Sequence, residues 1–135
     1  VEVDMKRMWI GVVALAGLIG CGSSTVSHYW ISSDVQIDAP NGPSCGTPDY
    51  YTPSPSSIFF DVTNFNFDDM DISVVSSTQA CNGSSGYGKV IASANGTYSG
   101  STGSLPAGAY TLAITCYNND GSDCSPLLHD FGYEN

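Results

Sequence analysis

Ala109-Tyr110-Thr111-Leu112-Ala113-Ile114-Thr115-Cys116-Tyr117 is the stretch on which the reading of the fold turns. Tyr110, Leu112, Ile114 and Cys116 fall on one side of an extended chain, and Thr111, Ala113, Thr115 and Tyr117 on the other. A period of two, carried by β-branched and aromatic residues, predicts a β-strand. Leu105-Pro106-Ala107-Gly108 is the turn that leads into it, and Asn118 to Asp123 is the loop that follows.

The same alternation recurs on both sides. Ser57 to Asn64 sets Ile58, Phe60 and Val62 against Phe59, Asp61 and Thr63, and Met70 to Ser77 makes a further strand with Ile72 and Val74 inward. Lys89 to Ala94 and Thr97 to Ser99 flank Asn95-Gly96, a two-residue hairpin signal of the type I′ kind. Leu127 to Tyr133 closes the set. No helical period is sustained after Cys21. Six or seven short strands with turn signals between them predict an all-β domain, a small antiparallel β-sandwich over 58–135.

Upstream of that domain the pattern thins. One alternating run lies within Gly22 to Asp38, through Val26, His28 and Trp30, and reads as a weak first strand or a tether. Ala39 to Ser57 holds five prolines, which remove ladder donors and hold φ near −65°, so 21–57 is expected to be a Pro-rich tether. Cys45 in its middle suggests that it is pinned to the domain. Tyr50-Tyr51 reads as a cover for the core more readily than as a sugar-stacking platform.

The start of the chain carries an address. Lys6-Arg7 precede twelve apolar residues, Met8 to Ile19, too few for a span of about 20. Leu18-Ile19-Gly20-Cys21 closes the run and resembles the lipobox of bacterial lipoproteins. The resemblance implies that 1–20 is a signal peptide removed before Cys21 and that Cys21 becomes lipidated. Residues 1–4 then look like an over-extended start. Gly22, in place of an acidic residue, implies the outer membrane. Met70-Asp71-Ile72-Ser73-Val74 and Leu105 to Leu112 resemble small secreted bacterial sandwich modules, of the pre-peptidase C-terminal and immunoglobulin-like kinds, and imply only the fold.

Charge narrows the partners. The chain has three Lys plus Arg against thirteen Asp plus Glu, a net charge of −10, and Lys89 is the sole cation after Cys21. Such a chain cannot neutralise a row of phosphates, which excludes nucleic acid. With Cys21 assigned to lipid, the five cysteines leave Cys45, Cys81, Cys116 and Cys124, an even set that reads as two disulfides in an oxidising compartment. Seven residues separate Cys116 from Cys124. That spacing favours a local bridge, with Cys45 closing on Cys81. The competing pairing is Cys81 with Cys116 and Cys45 with Cys124, supported by the inward side of Cys116.

Catalytic signals are weak. Gly-x-Ser-x-Gly is absent, and His129-Asp130 are neighbours that a strand points to opposite faces. No enzyme is expected. Asp68-Asp69-x-Asp71 and Asn118 to Asp123 are oxygen-rich loops, so Asp68, Asp69, Asp71, Asp120 and Asp123 are calcium candidates. Turn chemistry accounts for the same residues, and no cofactor is required. The expectation is a non-enzymatic envelope lipoprotein, a structural or adhesive surface module. Its partners would be the membrane through Cys21 and an envelope protein or glycan. The alternative is a binder of carbohydrate or calcium.

Overall fold

The computed structural model describes residues 25–82 and 85–135. The basic start, the apolar run and Cys21 lie outside them. Ten strands form: β1 Ser27–Ile31, β2 Val35–Gln36, β3 Gly42–Cys45, β4 Tyr50–Thr52, β5 Ser56–Asn64, β6 Met70–Ser76, β7 Tyr87–Ala92, β8 Gly96–Leu105, β9 Gly108–Cys116 and β10 Leu127–Glu134. They make two antiparallel five-stranded sheets. One runs β1-β10-β5-β8 with β2 also on β10, and the other runs β3-β9-β6-β7 with β4 also on β9. The fold is a β-sandwich.

Its core follows the alternation. Ile58, Phe60 and Val62 of β5, Leu128 and Phe131 of β10, Ile72 and Val74 of β6, and Leu112 and Ile114 of β9 are buried between the sheets. β9 is buried on its other face too. Thr111 donates to the Thr47 carbonyl at 2.6 Å, and the amide of Leu112 donates to Thr47 Oγ1 at 3.0 Å. The chain between β3 and β4 therefore roofs the outer face of that sheet. On β6 of the same sheet Ser73 is fully buried, with Gly86 set against its side chain.

Two expectations are corrected. Of the stretch 21–57 expected as a tether, residues 27–52 contribute β1 to β4 to the sheets; β1 lies where the weak first strand is expected, and β2, β3 and β4 raise the count from seven to ten. These strands are short and sit on sheet edges. Pro43 pairs opposite Thr115 from such an edge, where a missing donor costs nothing. An aromatic plug holds them: Trp30 of β1 stacks on Tyr50 of β4 at 5.2 Å and meets the Phe131 ring edge-on at 4.9 Å. Tyr50 thus covers core, while Tyr51 is 63% exposed.

The second correction concerns Asn95-Gly96, which joins no hairpin. β7 pairs with β6 in one sheet and β8 with β5 in the other, so the chain crosses between sheets there. β7 and β8 still meet backbone to backbone. A Cβ at Gly88, whose φ is +62°, would strike the Ser101 backbone, and one at Gly100 would strike the Phe60 ring and the Gly88 carbonyl. Two glycines let the strands close this seam without a ladder.

Cysteine pairing is Cys45 with Cys81 and Cys116 with Cys124, at Cα separations of 5.2 and 5.8 Å. The competing pairing is excluded. Cys116 does face inward, but its partner lies in the following loop and both belong to the core. Cys45 is exposed and Cys81 half-buried, so the longer bridge lies in reach of solvent.

The sandwich is polar along its length. Val26 and Asn135 exchange backbone hydrogen bonds at 3.2 and 3.3 Å at one end. The connections after β5, β7 and β9, which carry residues 65–69, 93–95 and 117–126, gather at the opposite end.

Candidate ligand-binding site

At that far end the loops after β5 and β9 enclose an open concavity of about 270 Å³, lined by Asn66, Phe67, Asp68, Asp69, Asn118, Asn119, Asp120 and Ser122. The two acidic loops flagged in the sequence are thus brought face to face. Asn118 joins them. Its Oδ1 accepts from the Asp69 amide at 2.7 Å, and its Nδ2 donates to Asp68 Oδ1 at 3.2 Å and to Ser122 Oγ at 3.1 Å. Asn41 supports the same loop, donating from Nδ2 to the carbonyls of Asn118 and Ser122, both at 3.2 Å.

The calcium candidates separate by role. Asp68 is buried, and its second carboxylate oxygen accepts from the Ser125 amide at 2.8 Å, so both its oxygens are used inside the fold. Asp71 lies on the strand: Tyr117 donates to it at 3.1 Å, and Lys89 pairs with it at 3.5 Å. Burial first, and that hydrogen bond second, raise the Tyr117 pKa above its usual value. Asp123 is exposed and does not line the concavity. Asp69 and Asp120 do. Asp120 Oδ1 accepts from the hydroxyl and amide of Ser122 at 2.6 and 2.9 Å, and the hydroxyl bond leads in holding its carboxyl below the usual range. Among the described residues no three His, Cys, Asp or Glu side chains gather as a metal site.

Phe67 was not anticipated. It is 71% exposed and its φ is +55°, the left-handed region that a bulky residue adopts only when its surroundings impose it. Asn95 imposes it, accepting from the Phe67 amide at 2.7 Å across the sandwich end. Asn64 adds to this, its Oδ1 accepting from the Asp68 amide at 3.2 Å and its Nδ2 donating to the Asp68 carbonyl at 2.9 Å. An aromatic doublet in a polar turn, Phe65-Asn66-Phe67, was the visible signal.

The histidines part company. His28 stacks on Tyr133 at 4.7 Å. His129, placed where the β5–β10 register shifts, bonds through Nδ1 to Asp34 at 2.8 Å and through Nε2 to Thr63 Oγ1 at 2.6 Å. The order carboxylate, imidazole, hydroxyl is that of a nucleophile relay. Here Thr63 also bonds Thr97 at 3.1 Å on the outer face of the sheet, and the chain of contacts ties the β1–β2 connection to β5 and β8.

Asp34, chiefly by its hydrogen bond, raises the His129 pKa above 6.5. A raised imidazole pKa stabilises the fold below the unfolded value, and that gain is lost as pH rises through the folded value. Asp34→Asn is therefore expected to lower the melting temperature by about 1–4 °C at pH 5.5 and by less at pH 9, since Asp34 is largely exposed. Thermal melts at the two pH values check this. An equal loss at both would assign the contact no ionic part.

No protein-family model matches the chain, and no curated protein or solved structure is significantly similar to it.

Proposed function

We propose that this protein is a non-enzymatic surface module of a bacterial cell envelope, lipid-anchored at Cys21 and acting in adhesion or envelope structure. The observation that carries this reading is the pair of disulfides, which suits an oxidising, extracytoplasmic compartment. The polarity of the sandwich supports it. Only four residues, 22–25, stand between Cys21 and Val26, so an extended chain puts the two at most about 18 Å apart. An anchor at Cys21 would hold the paired ends of the chain against the membrane and turn the loop end outward. Acyl chains contribute about 0.8 kcal/mol per buried CH₂, so two or more hold the protein stably.

Cys21→Ala is expected to move the protein from the detergent-rich to the aqueous phase on detergent phase partitioning. A variant that still enters the detergent phase would sink the anchor.

A further inference from the structure

We propose that the concavity between the loops after β5 and β9 is a saccharide-binding site, for a neutral or amino-bearing sugar ring stacked on Phe67 and hydrogen-bonded by Asp69, Asn66, Asn119 and Asp120. The inference deepens the surface-module reading by naming what its outward end would hold. The surface joins the two halves of sugar chemistry. A pyranose ring offers C–H groups on one face, which an aromatic ring covers, and hydroxyls at its rim, which amides and carboxylates bond. Phe67 supplies the first: the residue is 71% exposed and lines the concavity, and its backbone is fixed there by the amide bond to Asn95 Oδ1 at 2.7 Å. A core-packing role would bury that ring instead, and the left-handed backbone beneath it would serve no purpose there.

Asp69, Asp120, Asn66 and Asn119 supply the second. The Asp69 carboxylate takes no hydrogen bond from the described residues, and Asp120 keeps one oxygen beyond its bonds to Ser122. Asn66 and Asn119 are exposed residues that line the concavity from the two facing loops. The loops holding these groups are fixed by Asn118 and by the buried Cys116–Cys124 bridge, so little ordering remains to be done on binding. The volume, about 270 Å³, is just below the usual ligand-pocket range of about 300–1,000 Å³ and suits one ring rather than a chain. Charge selects the class. Three carboxylates in the lining, Asp68, Asp69 and Asp120, in a chain of net charge −10, repel uronic and sialic acids and favour neutral or amino sugars.

The test is a panel of neutral, amino-bearing and acidic oligosaccharides presented to the full-length protein in detergent micelles with EDTA present. Neutral or amino-bearing members are expected to bind. Phe67→Ala is expected to weaken binding roughly tenfold or more without lowering the melting temperature, because its ring lies outside the core. Asp69→Asn and Asp120→Asn are expected to weaken amino sugars more than neutral ones. No binding, preference for acidic members, binding only when calcium replaces EDTA, or unchanged affinity in Phe67→Ala would each overturn the proposal. The Cys21→Ala protein separates the two readings, since it would lose the detergent phase yet keep the same sugars.

Discussion

Full reduction is expected to lower the melting temperature by about 20–30 °C. In the chain-entropy model the Cys116–Cys124 loop contributes about 2.6 kcal/mol and the Cys45–Cys81 loop about 3.8 kcal/mol. Together, at about 6.4 kcal/mol, they make up a large part of a typical ~5–15 kcal/mol stability. At about 4 °C per kcal/mol for a domain of this size, the shift follows. The two bridges differ in access. Cys116 and Cys124 are sealed in the core, whereas Cys45 is exposed, so mild reductant should open Cys45–Cys81 first and leave the loop-end concavity intact. Thiol titration across a reductant series, read beside thermal melts, checks both statements. A loss under 5 °C on full reduction would show that packing alone holds the fold.

Phe131→Ala is the second large effect, expected to cost about 3–5 kcal/mol and about 12–20 °C. Phe131 is fully buried on β10. Trp30 and Tyr50 both meet its ring edge-on, at 4.9 and 5.9 Å, so its loss opens a void beneath the Trp30–Tyr50 stack. That stack bridges β1 of one sheet to β4 of the other. The void should therefore loosen the N-terminal edge strands ahead of the rest. Hydrogen exchange of the β1 amides in the variant is expected to rise beyond that of β6, and equal protection would show that β1 is held by its ladder to β10 instead.

How much of this was legible depended on whether the deciding contacts were local. β5, β6 and β9 each carry an alternating run with one face on a shared core, and such a pattern names its own strand, whereas β10 breaks its alternation where its register shifts after Leu128. β2 and β4 have two and three residues, too few for a period to show, and β3 contains a proline. What makes them strands is pairing with β9 and β10, which lie far away in sequence. The Asn95-Gly96 signal misled for the same reason. A tight turn states that the chain reverses, but not which sheet receives the next strand. At the loop end, Asp68, Asp69 and Asp120 were picked out by composition, yet only folding showed Asp68 turned inward and the other two outward. Phe67 escaped because the residue that fixes it, Asn95, sits 28 positions on. Strand alternation rules out Asp130, the neighbour of His129, as its partner, but names no other. Its true partner, Asp34, is 95 positions away.

The shared end of Val26 and Asn135 bears on how the molecule would carry load. Tension applied between an anchor at the N-terminal end and a cargo held at Phe67 runs along the strands, from one pole of the sandwich to the other. Hydrogen bonds in an antiparallel ladder lie across that direction, so those of β1 against β10 would be sheared together. Pulling apart the two termini, which leave the same pole, would instead peel that ladder open one bond at a time. The same domain is thus strong along the line from the paired ends to the loop end and weak across its base.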